Sequence, residues 1–80
     1  MTLNETVKKY LQISGGYGRP VPLAEFGLPV DQTERIFSGF DEDYHISRYF
    51  HFTSGIGEAF KLNGFDYTHV RIDAEIESVL

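Results

Sequence analysis

The chain has 80 residues, with 12 Asp+Glu against 7 Lys+Arg, a formal net charge of −5 and no cysteine. Disulfides and thiolate metal sites are therefore excluded, and the acidic balance disfavours non-specific contact with nucleic acid or anionic lipid. Apolar residues never run longer than a pair, which leaves no membrane span.

The expectation is a single domain over residues 1–80, or a piece of something larger. At this size folding buries only about 60% of the surface of the unfolded chain. Seven Phe and five Tyr are the large side chains available to offset that, with self-association as a second route. The start, Met1-Thr2-Leu3-Asn4-Glu5, lacks the basic and apolar stretches of a secretory signal, so a soluble cytoplasmic protein is expected.

Thr2 and Glu5 have capping-box spacing, and Leu3, Val7, Tyr10 and Leu11 recur on one helical stripe. Gly15-Gly16 stops this first helix. Pro20 and Pro22 hold Val21 extended, as a very short edge strand or a linker. Pro22 opens a second helix carrying Leu23, Ala24 and Phe26, which Gly27 ends. Asp31 is expected to cap a third helix running to Phe40, with Glu34 completing a second box and Thr33, Ile36, Phe37 and Phe40 facing inward. Asp41-Glu42-Asp43 reads as a solvated turn.

From Tyr44 the period changes to two. Tyr44, Ile46, Phe50 and Phe52 alternate with His45, Ser47, Tyr49, His51 and Thr53, with Arg48 as a misfit on the apolar side. Ser54 to Gly64 reads as loop, rich in glycine and ending in Asn63-Gly64. A second alternation follows, Val70, Ile72, Ala74 and Ile76 against His69, Arg71, Asp73, Glu75 and Glu77, although the last residues fit a helix equally well. Both apolar faces carry even numbers, so paired residues must sum to an even number. A sum of 120 sets Ile46 beside Ala74 and Phe50 beside Val70, with His45 by Glu75, Tyr49 by Arg71 and His51 by His69 on the outer face.

Helix, edge strand, helix, turn, helix, strand, wing and strand is an order that resembles the winged helix-turn-helix domains. The segment Leu23-Ala24-Glu25-Phe26-Gly27-Leu28-Pro29-Val30-Asp31-Gln32-Thr33 looks like their helix-turn-helix core. The resemblance implies a recognition helix over Asp31 to Phe40, exposing Asp31, Gln32, Glu34, Arg35 and Ser38. Gln32 and Arg35 would then read bases and Lys61 would lie in the wing. Two carboxylates against one guanidinium oppose contact with phosphates.

The candidate chemistry is sparse. His45, His51 and His69 share the expected outer face, but His45 and His51 lie roughly 20 Å apart at strand rise and a third ligand is lacking, so no metal site is expected. Gly15-Gly16-Tyr17-Gly18 follows a helix rather than a strand and is no phosphate loop. Asp41-Glu42-Asp43 lacks the spacing of a calcium loop. Ser47, His45 and Asp73 would share an open strand face that excludes no water, which is poor ground for nucleophilic catalysis.

The expected fold is α+β, a small winged-helix-like domain with three helices on the inner face of a two- or three-stranded antiparallel sheet. Its expected core is Leu3, Val7, Leu11, Leu23, Phe26, Ile36, Phe37, Phe40, Ile46, Phe50, Phe52, Val70 and Ile72. The expected function is a non-catalytic interaction module that binds a protein partner or a second copy of itself. Its contact patch would comprise Tyr49, His51, Tyr67, His69 and Arg71, a composition that interfaces favour. The alternative is a nucleic-acid-binding, transcription-regulator-like domain using Gln32, Arg35 and Lys61. Neither calls for a cofactor.

Overall fold

The computed structural model describes residues 1–44 and 49–73. Helix α1 spans Leu3–Ser14 and opens on the expected capping box. The Thr2 hydroxyl accepts from the Glu5 N–H at 3.1 Å, and the Glu5 carboxylate accepts from the Thr2 N–H at 2.9 Å. Gly15 closes the helix at φ 78°, donating to the Leu11 carbonyl. Tyr10 is wholly buried on the inner stripe, and its hydroxyl donates to the Arg19 carbonyl while accepting from the Arg19 N–H. One phenol thus fixes the backbone that leads into strand β1, Val21–Pro22.

The second of the three expected helices is a single 3-10 turn, Leu23–Phe26. Only four residues separate Pro22 from Gly27, too few for an α-helix to propagate. Leu23 and Phe26, three apart, both point into the core. Among the described residues there are therefore two α-helices rather than the three expected.

Helix α2 spans Val30–Tyr44 and differs from expectation at both ends. It begins at Val30, so Asp31 stands within the first turn, where a carboxylate still favours the helix dipole, and does not cap it. Glu34 forms no box; its carboxylate accepts from the Lys61 backbone N–H at 2.6 Å. The helix runs through Asp41-Glu42-Asp43 to Tyr44 instead of stopping at Phe40. Residues 33, 37, 40 and 44 keep helical spacing, and neither Asp nor Glu breaks a helix as Pro does.

Strands β2 (Phe50–Thr53) and β5 (His69–Ile72) pair antiparallel, and β1 adds to the far side of β5, giving the order β1-β5-β2. The pairs Phe50↔Ile72, His51↔Arg71, Phe52↔Val70 and Thr53↔His69 sum to 122, not 120. The even sum keeps both apolar faces inward, while the two-residue shift replaces the outer pairs expected for Tyr49 with Arg71 and for His51 with His69. The expected pairings through His45, Ile46, Ala74 and Glu75, and the strand-or-helix question over residues 74–80, lie outside the described residues.

The segment expected to be loop holds a second hairpin. Strands β3 (Phe60–Leu62) and β4 (Phe65–Tyr67) pair antiparallel around Asn63-Gly64, whose φ values of 53° and 84° suit a two-residue hairpin turn. In such a hairpin the Lys61 N–H points away from β4, and Glu34 of α2 takes it.

The core contains nine of the thirteen expected residues in fully buried form, with Tyr10, Val21, Phe60 and Leu62 in addition. Leu11, Ile36 and Phe52 are partly buried against it, and Ile46 is outside the described residues. Its centre is aromatic. The Phe37 ring lies 5.6 Å from Phe26, 6.0 Å from Phe40, 6.1 Å from Phe50 and 5.8 Å from Phe52, mostly edge to face. The buried threonines Thr6 and Thr33 satisfy their hydroxyls on the carbonyls of Thr2 and Pro29. No helix among the described residues is long and apolar enough to cross a membrane.

Two outcomes follow from this packing. Phe37→Ala removes a side chain worth about 3–5 kcal/mol from a domain whose whole stability is roughly 4–12 kcal/mol. Urea unfolding should then lose most of its cooperative transition, and a change below about 1 kcal/mol would contradict the central role of this ring. The Thr2 N–H bond holds the Glu5 carboxyl below its ordinary value of 4.5. A lowered folded value means that the stabilisation is present above the unfolded value and lost as pH falls through the folded one. Glu5→Ala should therefore lower thermal stability at pH 7 and leave it unchanged well below the folded value; equal losses at both pH values would contradict this.

Candidate functional site

The 122 register decides what the outer face of the sheet carries. His51 stands opposite Arg71, and both reach Asp73 on the same strand face. The His51 Nε2 lies 3.0 Å from Asp73 Oδ2, and Arg71 grips the same carboxylate with Nε at 2.6 Å and Nη2 at 3.1 Å. All three side chains are partly exposed. His69 faces Thr53 across the strands rather than His51, and its Nδ1 lies 2.5 Å from the Thr68 hydroxyl. Among the described residues no three His, Cys, Asp or Glu side chains gather as metal ligands would. The expected grouping of Ser47 and His45 with Asp73 falls on residues outside the description, and Asp73 is committed to Arg71 and His51.

The two tyrosines of the expected patch are drawn towards the core. The Tyr49 carbonyl accepts from the Asp73 N–H, and the residue is partly buried. Tyr67 belongs to β4, and its ring lies 5.6 Å from Phe52, an inner-face residue. A line of rings runs outward from there: Phe37 to Phe52, Phe52 to Tyr67, and Tyr67 to Phe65 at 6.3 Å. Phe65 is 65% exposed, and Ile56, in the loop between β2 and β3, is 99% exposed. The Ser54 hydroxyl donates to the Asp66 carbonyl at 2.7 Å, fastening the start of that loop to β4. Gly55 lies against His69 and Thr68, where an added Cβ would sit 3.4 Å from the imidazole.

The cations proposed for nucleic acid do not form a free group. Arg35 is exposed on α2 but lies 3.7 Å from Asp31 one turn earlier. Lys61 stands opposite Asp66 in the hairpin, and Arg71 is held by Asp73. Gln32 is exposed beside Asp31.

Sequence reasoning did not single out Ile56, Phe65 or Glu34 for these positions. The Gly55-Ile56-Gly57 triplet, an apolar residue in a turn-rich segment, was the available signal for Ile56. The Glu34 bond spans 27 residues and leaves no local trace.

Because the His51–Asp73–Arg71 cluster is partly solvated, it contributes little to stability. Asp73→Ala should lower the unfolding free energy by about 1 kcal/mol or less in urea titrations. A loss above about 3 kcal/mol would mean that the cluster holds the sheet together.

Comparison of the chain with protein-family models, with curated proteins and with solved structures finds no match.

Proposed function

We propose that the chain is a winged-helix-like, non-catalytic module of the cytoplasm that binds another protein through the end of its β3–β4 hairpin and the adjoining loop. The observation that carries this reading is the pair Ile56 and Phe65, 99% and 65% exposed in a domain that buries most of its other large apolar side chains. Aromatic side chains are enriched at protein contacts, and a single well-placed apolar anchor supplies much of an interface's free energy. The contact is assigned here rather than to Tyr49 and Tyr67, whose rings are partly buried.

The winged-helix part of the reading is supported by topology. The order α1, β1, 3-10 turn, α2, β2, hairpin, β5, with strands arranged β1-β5-β2, is the order that the resemblance implies. The 3-10 turn stands in the place of the middle helix, and the β3–β4 hairpin stands in that of the wing. The hairpin folds back on α2, where the Glu34 carboxylate holds the Lys61 N–H. The nucleic-acid alternative retains Gln32 and Arg35 on an exposed helix face, against a net charge of −5 and carboxylates beside Arg35, Lys61 and Arg71.

Light scattering with and without a random-sequence duplex at about 50 mM salt, where phosphate contacts are strongest, separates the two. No duplex-bound species is expected, and its appearance would replace the protein module with the nucleic-acid reading. A side chain kept for a partner is also one that folding does not need. Phe65→Ser should change the unfolding free energy by less than about 1 kcal/mol, and a larger loss would assign Phe65 to the fold instead.

A further inference from the structure

We propose that Ile56 and Phe65 are paired anchors for a positively charged protein face, one that offers an apolar pocket rimmed by Lys or Arg. This inference rests on the module reading and specifies the partner's chemistry.

The first argument is presentation. A solvated isoleucine on a slack loop would lose much conformational freedom on docking, whereas a fixed one loses less. Here the Ser54 hydroxyl is bonded to the Asp66 carbonyl, and Gly55 packs against His69 and Thr68. The loop is tied to β4, the strand that carries Phe65. Ile56 is therefore placed beforehand, with nothing among the described residues covering it.

The second argument is charge. Among the described residues, the Lys and Arg side chains held in an ion pair are Arg35, with Asp31, and Arg71, with Asp73, while Lys8, Lys9 and Arg19 lie on α1 or the loop that leaves it. Around the hairpin Arg35 is paired with Asp31, and the exposed Lys61 stands opposite the exposed Asp66 in the strand register. Glu58 stands exposed two residues from Ile56, and Glu34 accepts only a backbone N–H. Neither meets a cation among the described residues. The segment that carries the apolar pair thus holds Glu58 and Asp66 against Lys61, all exposed, in a domain of net charge −5. Such a field slows approach to anionic lipid or nucleic acid and steers a basic protein surface into contact.

The test uses the full chain labelled with nitrogen-15 and an 18-residue helical peptide of leucine and lysine as the stand-in partner. Controls are oligolysine of equal charge and vesicles of neutral and of anionic phospholipid. Amide shifts are expected at residues 54–58 and 64–66, with binding that weakens as salt rises. The I56S/F65S variant, folded because both side chains are solvated, should bind at least about tenfold more weakly, as expected for losing buried apolar contact. Oligolysine should also bind at least about tenfold more weakly than the amphipathic peptide. Equal binding of oligolysine, or no binding of the peptide, would overturn the proposal. So would a footprint elsewhere on the domain, or a preference for vesicles over peptide. A footprint elsewhere would also overturn the contact assigned to the hairpin end, whereas the other outcomes leave the module reading in place, which falls instead with duplex binding.

Discussion

The ring of Phe37 is the contact on which this fold turns. It touches Phe26 of the 3-10 turn, Phe40 of its own helix, and both inward rings of β2. An acidic domain of 80 residues without cysteine has few other means of joining its layers, and each edge-to-face pair adds about 0.5–1.5 kcal/mol beyond the area it buries. The same cluster fixes the sheet. Phe50 and Phe52 must both face α2, so β2 can pair with β5 only in registers of even sum. The choice of 122 over 120 then gives the outer face its partners, setting Arg71 and not His69 beside His51.

Much of the fold was legible wherever the determinants are local. The capping box of Thr2 and Glu5, the stop at Gly15 and the edge strand around Val21 each depend on a handful of neighbouring residues. Register parity was legible for the same reason, since alternation alone enforces it. The register itself was not, because Phe50 finds an apolar neighbour at Val70 or at Ile72 with little local difference. The end of α2 was misplaced because charged residues read as a turn although they also continue a helix. The β3–β4 hairpin was the avoidable miss. Phe60-Lys61-Leu62 and Phe65-Asp66-Tyr67 alternate on either side of Asn63-Gly64, a strong short-range hairpin pattern, yet the glycines upstream made the whole segment look like loop. Of the site, His51 and Arg71 do share a face. Tyr67 does not join them, because it belongs to a strand that was not expected.

Exposed strand edges invite unwanted pairing, and this domain deals with three of them by different chemistry. Pro22 removes an N–H from β1. The Glu34 carboxylate occupies the outward N–H of Lys61 on β3. The Ser54 hydroxyl occupies the Asp66 carbonyl on β4. The last two also have a positional effect. Glu34 binds the hairpin to α2, and Ser54 binds the β2–β3 loop to the hairpin, so helix, hairpin and loop are linked in sequence by polar contacts at their rims. The apolar faces of Phe60 and Leu62 are buried beneath.

That linkage bears on function. A wing free of the body would sweep a volume and lose entropy in any complex, and a recognition helix used for nucleic acid would need its cations clear of carboxylates. The hairpin lies on α2, the exposed guanidinium of Arg35 is turned towards Asp31, and the line of rings from Phe37 through Phe52 and Tyr67 ends in solvent at Phe65. A ring packed at a tilt against a partly buried neighbour has fewer orientations to lose than one standing alone, so its exposure carries a smaller entropic penalty on docking. The packing that compensates for a small core therefore also supports Phe65, the aromatic side chain that, among the described residues, it leaves mostly exposed.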